Sequence, residues 1–333
     1  MTDAAAQSMQ LLVTRVTELN PLIRELRLAR ADGAALPGYE AGAHVQVKVT
    51  LADGQTDWRA YSLINTDTAP EATSAPFEYR IAVRREDNGR GGSRWMHQNV
   101  QVGTVLTVQP PRNDFPLDAD TIQNLGTVVL LAGGIGVTPL ISMAARCRAR
   151  GVDVRMHYAG RSRTLMAYLA DLQSLLGNDL HLHIDDEGCA PDVAALLASC
   201  GPSDALYVCG PQPMLDAVLA QAQALGWDRT RVHFELFAAP VSDGDHAFEL
   251  VLEQSGRTLR VAANESILDA LIKAGCDPLF DCKRGECGVC AVPVLDGEID
   301  HRDYVLSARE KSVGNVIQTC VSRAKGARLV LDL

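Results

Sequence analysis

The sequence has no surplus of positive charge. Its 31 Lys and Arg stand against 41 Asp and Glu, a formal net charge of −10. A binder of duplex nucleic acid needs clustered Lys and Arg, and no basic stripe is present, so nucleic acid is not an expected partner. The first residues, MTDAAAQSMQ, have no basic run ahead of an apolar core. The signal-peptide pattern is therefore missing, and a cytoplasmic location is expected. Long apolar runs are also scarce. Residues 127–145 are uncharged over enough length to raise the question of a membrane span. Gly133, Gly134, Gly136 and Pro139 interrupt them, however, and residues 127–132 read better as a buried strand, so no membrane is expected. A G-x-S-x-G nucleophile elbow and an H-E-x-x-H zinc helix are both lacking, which speaks against the common hydrolases. No internal repeat or low-complexity tract is present.

What is there suits several packed domains. The chain has 333 residues, 47% of them hydrophobic and 22% charged, and at roughly 100–200 residues per domain this length predicts two or three. From Leu11 to about Pro111 six short β-rich segments follow one another without a long helix, which predicts an antiparallel β-barrel over residues 1–115. One short helix is expected after Gly92, with Ser93 as its N-cap. Between Thr127 and Phe237 apolar strands alternate with helical segments such as RTLMAYLADLQSLLG, the rhythm of an α/β parallel sheet, assigned to residues 120–237. Residues 238–246 have linker composition. Residues 247–333 then open with two strands joined by Ser255-Gly256-Arg257 and a helix from about Glu265 to Lys273, capped by Asn264.

Four of the nine cysteines cluster in this last region. Cys282, Cys287, Cys290 and Cys320 read C-x4-C-x2-C-x29-C, the plant-type spacing for a 2Fe-2S cluster. Three thiolates must converge on a small cluster while the backbone wraps it, and Gly285 and Gly288 permit the tight turning. A tetrahedral zinc site is the alternative, but zinc usually takes two close Cys-x-x-Cys hooks. The region resembles plant-type ferredoxin domains, which implies an α+β, β-grasp-type fold. Cys276 falls outside the pattern and reads as core.

Arg59-Ala60-Tyr61-Ser62-Leu63 ends a β-segment and matches the R-x-Y-S pattern of the ferredoxin-NADP reductase superfamily. Arg59 suits a phosphate, Tyr61 offers a flat face for a flavin or its ribityl chain, and Ser62 can bond near the reactive ring nitrogen. Gly91-Gly92-Ser93 opens a helix, so free N–H groups and a hydroxyl meet where a phosphate monoester would bind. Arg90 and Arg94 can add charge, or be solvated surface. Barrel, nucleotide domain and C-terminal ferredoxin in this order resemble the phthalate dioxygenase reductase family, which includes vanillate demethylase reductase subunits. That resemblance implies FMN, while the residues alone leave FAD open.

Gly133-Gly134-Ile135-Gly136-Val137-Thr138-Pro139 follows a strand and opens a helix, and Cys209-Gly210-Pro211 ends another strand. Ligands bind at such carboxyl ends in parallel sheets, so these are the expected nicotinamide-dinucleotide loops. By resemblance, Thr138 contacts the flavin, Cys209 approaches the nicotinamide and Phe237 covers the flavin ring. Read as residues, Cys209 and Phe237 suit an ordinary core equally well. Gly160-Arg161-Ser162-Arg163 lies where the adenosine ribose belongs; the resemblance points to NADH, and the two arginines leave NADPH open. His181 and His183 read as ordinary strand residues.

The expected function is the reductase of a Rieske-type, ring-hydroxylating or demethylating oxygenase, passing electrons from NADH through FMN and a 2Fe-2S cluster to the terminal oxygenase. A FAD-containing ferredoxin-type reductase, or a redox sensor or carrier without turnover, is the alternative. Residues 247–333 hold 11 Lys and Arg against 13 Asp and Glu, which predicts weak electrostatic steering of the partner.

Overall fold

The computed structural model describes residues 8–51, 53–69, 72–87, 89, 91–117, 126–237 and 244–333. The chain divides into two compact units, Met1–Glu235 and Leu236–Leu333. In the first, β1 (Met9–Asn20), β2 (Ile23–Ala29), β3 (His44–Thr50), β4 (Thr56–Ser62), β5 (Glu78–Arg84) and β6 (Val105–Val108) form an antiparallel sheet in the order β4-β3-β6-β1-β2-β5. Alternation along β3 buries Val45, Val47 and Val49 and leaves Lys48 exposed. These valines meet Leu11, Leu28, Tyr79, Ile81 and Leu106 in one core, where each large apolar side chain contributes about 1.5–3 kcal/mol.

The helix Gly92–Asn99 adds Met96 to that core, but Ser93 is not its cap. Gly91 caps it instead, at φ 98°, a left-handed conformation that glycine adopts without strain. The Ser93 hydroxyl accepts the Glu86 N–H at 3.0 Å.

The same unit contains a parallel sheet of β7 (Val128–Gly133), β8 (Val154–Gly160), β9 (Leu180–Ile184), β10 (Ala205–Cys209) and β11 (Val232–Glu235), in the order β11-β10-β7-β8-β9. Every residue of β7 and β10 is buried, as expected of strands covered on both faces. The segment RTLMAYLADLQSLLG is not one helix. A 3-10 turn at Arg163–Leu165 precedes a helix at Leu169–Leu176, with Tyr168 at φ 60° between them. Tertiary bonds explain the break: Tyr168 donates to Glu25 Oε2 at 2.9 Å, and the Ala167 N–H donates to the Tyr158 hydroxyl at 3.1 Å. Glu25 is buried and also pairs with Arg80, so the two sheets meet around a satisfied charge. Ile23, Ile64 and Ala82 share an apolar cluster with Leu130, Met143 and Tyr207, which joins both sheets into one body.

The second unit contains β12 (Phe248–Leu252), β13 (Arg257–Val261), β14 (Ala291–Asp296), β15 (Ile299–Asp300), β16 (Val316–Gln318), β17 (Arg323–Ala324) and β18 (Arg328–Leu331). Five of them form a mixed sheet, β13-β12-β18-β14-β16, and β15 pairs with β17. The helix Ile267–Lys273 begins later than the sequence suggests, because Ser266 rather than Asn264 caps it by accepting the Asp269 N–H at 3.0 Å. Of the expected linker, residues 238–243 lie outside the described residues. Its far end is fixed: Asp245 pairs with Arg302, and Arg323 donates to the His246 carbonyl at 2.9 Å. No helix among the described residues is long and apolar enough to cross a membrane.

Candidate functional site

The four clustered cysteines converge as two pairs. Cys290 and Cys320 are buried with their sulfurs 3.2 Å apart, and the Cys282 and Cys287 side chains are hydrogen-bonded nearer the surface. The hydrogen bond between the inner thiols splits them, drawing Cys290 down and pushing Cys320 up. The Arg284 N–H donates to Cys282 Sγ at 3.3 Å, and the backbone of Gly285 lies within bonding reach of Cys320. Such donors offset the negative charge of a metal–thiolate centre. At Gly285, φ is 79° and a Cβ would lie 2.7 Å from a Val321 methyl, so the loop closes only with glycine. The donor set fits a 2Fe-2S cluster, in which each iron takes two thiolates. Cys276 stands apart, packed at the edge of the core near Arg257.

The two glycine loops touch. β8 and β9 are added on one side of β7 and β10 and β11 on the other, so the strand order reverses at the β7–β10 gap, the switch point where ligands bind in such parallel sheets. A Cβ on Gly136 would lie 2.0 Å from the Cys209 carbonyl oxygen, and one on Gly133 would lie 2.5 Å from Pro211 Cδ. The helices Val137–Ala149 and Gln212–Ala224 both start here without acidic residues in their first turns, so two helix N-termini offer N–H groups to an anion. Thr138 is buried and its hydroxyl donates to the Ile135 carbonyl at 3.0 Å, bracing the glycine turn. Cys209 is buried at the end of β10.

The Arg59 to Leu63 motif runs along β4 and leaves it against the helix Val137–Ala149. Arg59 pairs with Asp57 at 2.5 Å and lies against the start of the helix Gly92–Asn99, its Nε 3.1 Å from where a Gly92 Cβ would sit. Ser62 and Leu63 are buried and Tyr61 is half-buried; burial pushes the Tyr61 phenol up, so it stays protonated. Arg94 lines a surface cleft with Arg24 and Arg85, and Arg90 lies outside the described residues. Phe237 falls in the second unit and is 42% exposed.

Sequence reasoning missed Ser142. Its hydroxyl donates to the Leu63 carbonyl and accepts the Asn65 N–H, both at 2.8 Å, tying the end of the R-x-Y-S segment to the helix that follows the glycine loop. A lone serine on an otherwise apolar helix face was the available signal. Removing it strands a buried carbonyl, so Ser142→Ala is expected to destabilise the first unit by about 1–3 kcal/mol. Chemical denaturation followed by a probe in that unit checks this, and an unchanged midpoint would contradict it. Three of the eight histidines, His157, His181 and His183, pack in a row on the parallel sheet. His157 Nδ1 lies 3.0 Å from His183 Nε2 and its ring stacks on His181, and burial holds His157 down at about 4, neutral at physiological pH.

Residues 250–325 match the family described as the 2Fe-2S iron-sulfur cluster binding domain, so fold and cysteine set together define a modular iron–sulfur reductase. The chain is 42% identical over 311 residues to the toluene-4-sulfonate monooxygenase system reductase subunit of Comamonas testosteroni, covering 92% of this chain and 93% of the relative. A solved phthalate dioxygenase reductase, described as a modular structure for electron transfer from pyridine nucleotides to 2Fe-2S, is 36% identical with a TM-score of 0.75, covering 98% of both chains. An intact type IV self-sufficient cytochrome P450 monooxygenase is 38% identical with a TM-score of 0.68; it is matched by 98% of this chain, which spans 41% of its length. The chain belongs to the phthalate dioxygenase reductase family, with its 2Fe-2S domain at the C-terminal end.

Proposed function

We propose that this chain is the reductase component of an oxygenase system, moving electrons from NADH through FMN and a 2Fe-2S cluster to a terminal oxygenase. The observation that carries the reading is the Ser142 bridge, which holds the flavin-type motif and the nucleotide-type glycine loop on one helix. When bound, the nicotinamide supplies electrons in pairs, the flavin accepts pairs and releases single electrons, and the cluster carries them one at a time. The chain's own task is placement. Arg59 with Gly91, Gly92 and Ser93 holds the flavin phosphate, and Tyr61, Ser62, Leu63 and Thr138 frame the ring. Gly133, Gly134, Gly136, Cys209, Gly210 and Pro211 bring the dinucleotide to it, with Phe237 as ring cover. Cys282, Cys287, Cys290 and Cys320 hold the cluster. The antiparallel sheet is read as a flavin barrel over residues 1–115, residues 120–237 as the NAD domain, 238–246 as linker and 247–333 as a β-grasp ferredoxin domain. A cytoplasmic location is part of this proposal.

Names among the relatives include a dioxygenase reductase, a monooxygenase reductase and a cytochrome P450 fusion. The acceptor is therefore proposed first as an oxygenase and, more finely, as a Rieske-type one. NADH-driven reduction of cytochrome c tests the electron path: flavin-stripped protein is expected to regain it with FMN and not with FAD. Recovery with FAD alone would overturn the FMN assignment, and no NADH-dependent reduction with either flavin would overturn the reductase reading.

The preference for NADH has a local rationale. In the turn after β8 Arg163 is held by Glu187 through two bonds of 2.6 and 2.9 Å, so this carboxylate competes with a 2′-phosphate for the cation. Glu187→Ala is expected to raise kcat/KM for NADPH about fivefold while leaving that for NADH within about twofold, the modest size reflecting an exposed pair. Steady-state kinetics with both nucleotides measure this, and an unchanged ratio would remove Arg163 from the ribose site.

A further inference from the structure

Within the iron–sulfur loop, Glu286 stands immediately before the ligand position Cys287, and its carboxylate is engaged on two sides. Oε1 accepts the Leu236 N–H at 2.6 Å, and Oε2 lies 3.1 Å from Arg284 Nε. Both side chains are largely withdrawn from solvent, at 14% exposure for Glu286 and 10% for Arg284. Leu236 is buried at 2% and is the first residue of the compact unit that carries the four cysteines. A carboxylate buried to this degree needs partners for its charge, and one of them is a backbone amide 50 residues earlier in the chain.

We infer that Glu286 is a positioning residue for the iron–sulfur loop: it ties the loop to the Leu236 segment where the chain enters this unit, and with Arg284 it sets the charge balance beside Cys287. The inference rests on the cluster part of the proposed function and is independent of the flavin and nicotinamide parts. Two consequences follow from the geometry. First, the Leu236 N–H exchanges slowly because Glu286 holds it. Second, the two charges act on the cluster with opposite sign. Reduction adds negative charge, so Glu286 disfavours the reduced form and Arg284 favours it.

The test uses the full-length holoprotein, with the cluster reduced by dithionite through mediators so that no nicotinamide or flavin chemistry is needed. In an EPR-monitored redox titration, Glu286→Gln is expected to shift the one-electron equilibrium about threefold to tenfold toward the reduced cluster, and Arg284→Gln by a similar factor the other way. Hydrogen exchange at Leu236 is expected to accelerate at least about tenfold in Glu286→Ala and much less in Glu286→Gln, which keeps an acceptor oxygen. Exchange at Leu268 N–H, bonded to the Thr319 carbonyl beside the cluster ligand Cys320, serves as the control that the cysteine cradle is intact. Shifts of the same sign in the two Gln variants, or no shift in either, would overturn the charge role. Unchanged Leu236 exchange in Glu286→Ala would overturn the tether. If Glu286→Ala assembles no cluster, Glu286→Gln and Arg284→Gln still decide the matter, because opposite shifts do not arise from general loosening of the loop.

Discussion

A valine at Gly136 is expected to slow flavin reduction by NADH at least about a hundredfold while leaving the iron–sulfur cluster spectroscopically intact. The new Cβ would sit 2.0 Å from the Cys209 carbonyl oxygen and 2.4 Å from its carbon. These are backbone atoms of a strand paired to β7 through Cys209 and Ala132, so they cannot step aside without opening the sheet. The loops would part by about an ångström at the switch point, and a misplacement of that size costs on the order of a hundredfold in reactions that depend on orientation. Overpacking adds about 1–3 kcal/mol of destabilisation, so thermal unfolding is measured alongside. Anaerobic stopped-flow mixing reads the rate, and dithionite reduction followed by EPR reads the cluster, whose ligands belong to the other compact unit. A folded Gly136→Val protein reduced at the normal rate would remove the β7–β10 gap as the nicotinamide site.

Replacing Cys290 with alanine is expected to abolish the cluster and stop electrons at the flavin. Cys290 packs with Leu268, Cys320 and Val321 in a small buried group, its sulfur 3.2 Å from that of Cys320. The cluster's visible absorbance and EPR signal should vanish, NADH should still bleach the flavin, and reduction of cytochrome c should fall to background. The second unit should also lose stability, because bound metal contributes folding energy to a small domain. Cys276→Ala, at the edge of the core and outside the four, should keep a full cluster. A Cys290→Ala protein with an intact cluster signal, or a Cys276→Ala protein without one, would contradict the ligand assignment.

The sequence reveals strands more readily than the contacts between distant segments. The six β-rich segments and the α/β rhythm are legible because alternation and apolar runs are local properties, as Val45, Val47 and Val49 show on β3. The four cysteines are legible because their spacing is itself the constraint. Caps were misread where a nearer group competed: Gly91 takes the left-handed cap that Ser93 was expected to fill, and Ser266 reaches the Asp269 N–H in place of Asn264. The break at Tyr168 is set by Glu25, 143 residues away, and no local propensity records it. Ser142, Glu286 and the division of the thiols into two pairs likewise depend on contacts between distant segments. Glu286 leaves no local signal because its partner, the Leu236 amide, carries no side-chain signature.

Anaerobic titration of the purified protein with NADH, following flavin and cluster absorbance together and identifying the released flavin by chromatography, tests the central claim most directly. The account predicts that the flavin bleaches rapidly, that the cluster is reduced after it, and that the flavin released is FMN. A cluster that dithionite reduces but NADH does not, with no bleaching of flavin, would contradict the account and leave an electron carrier or sensor in its place.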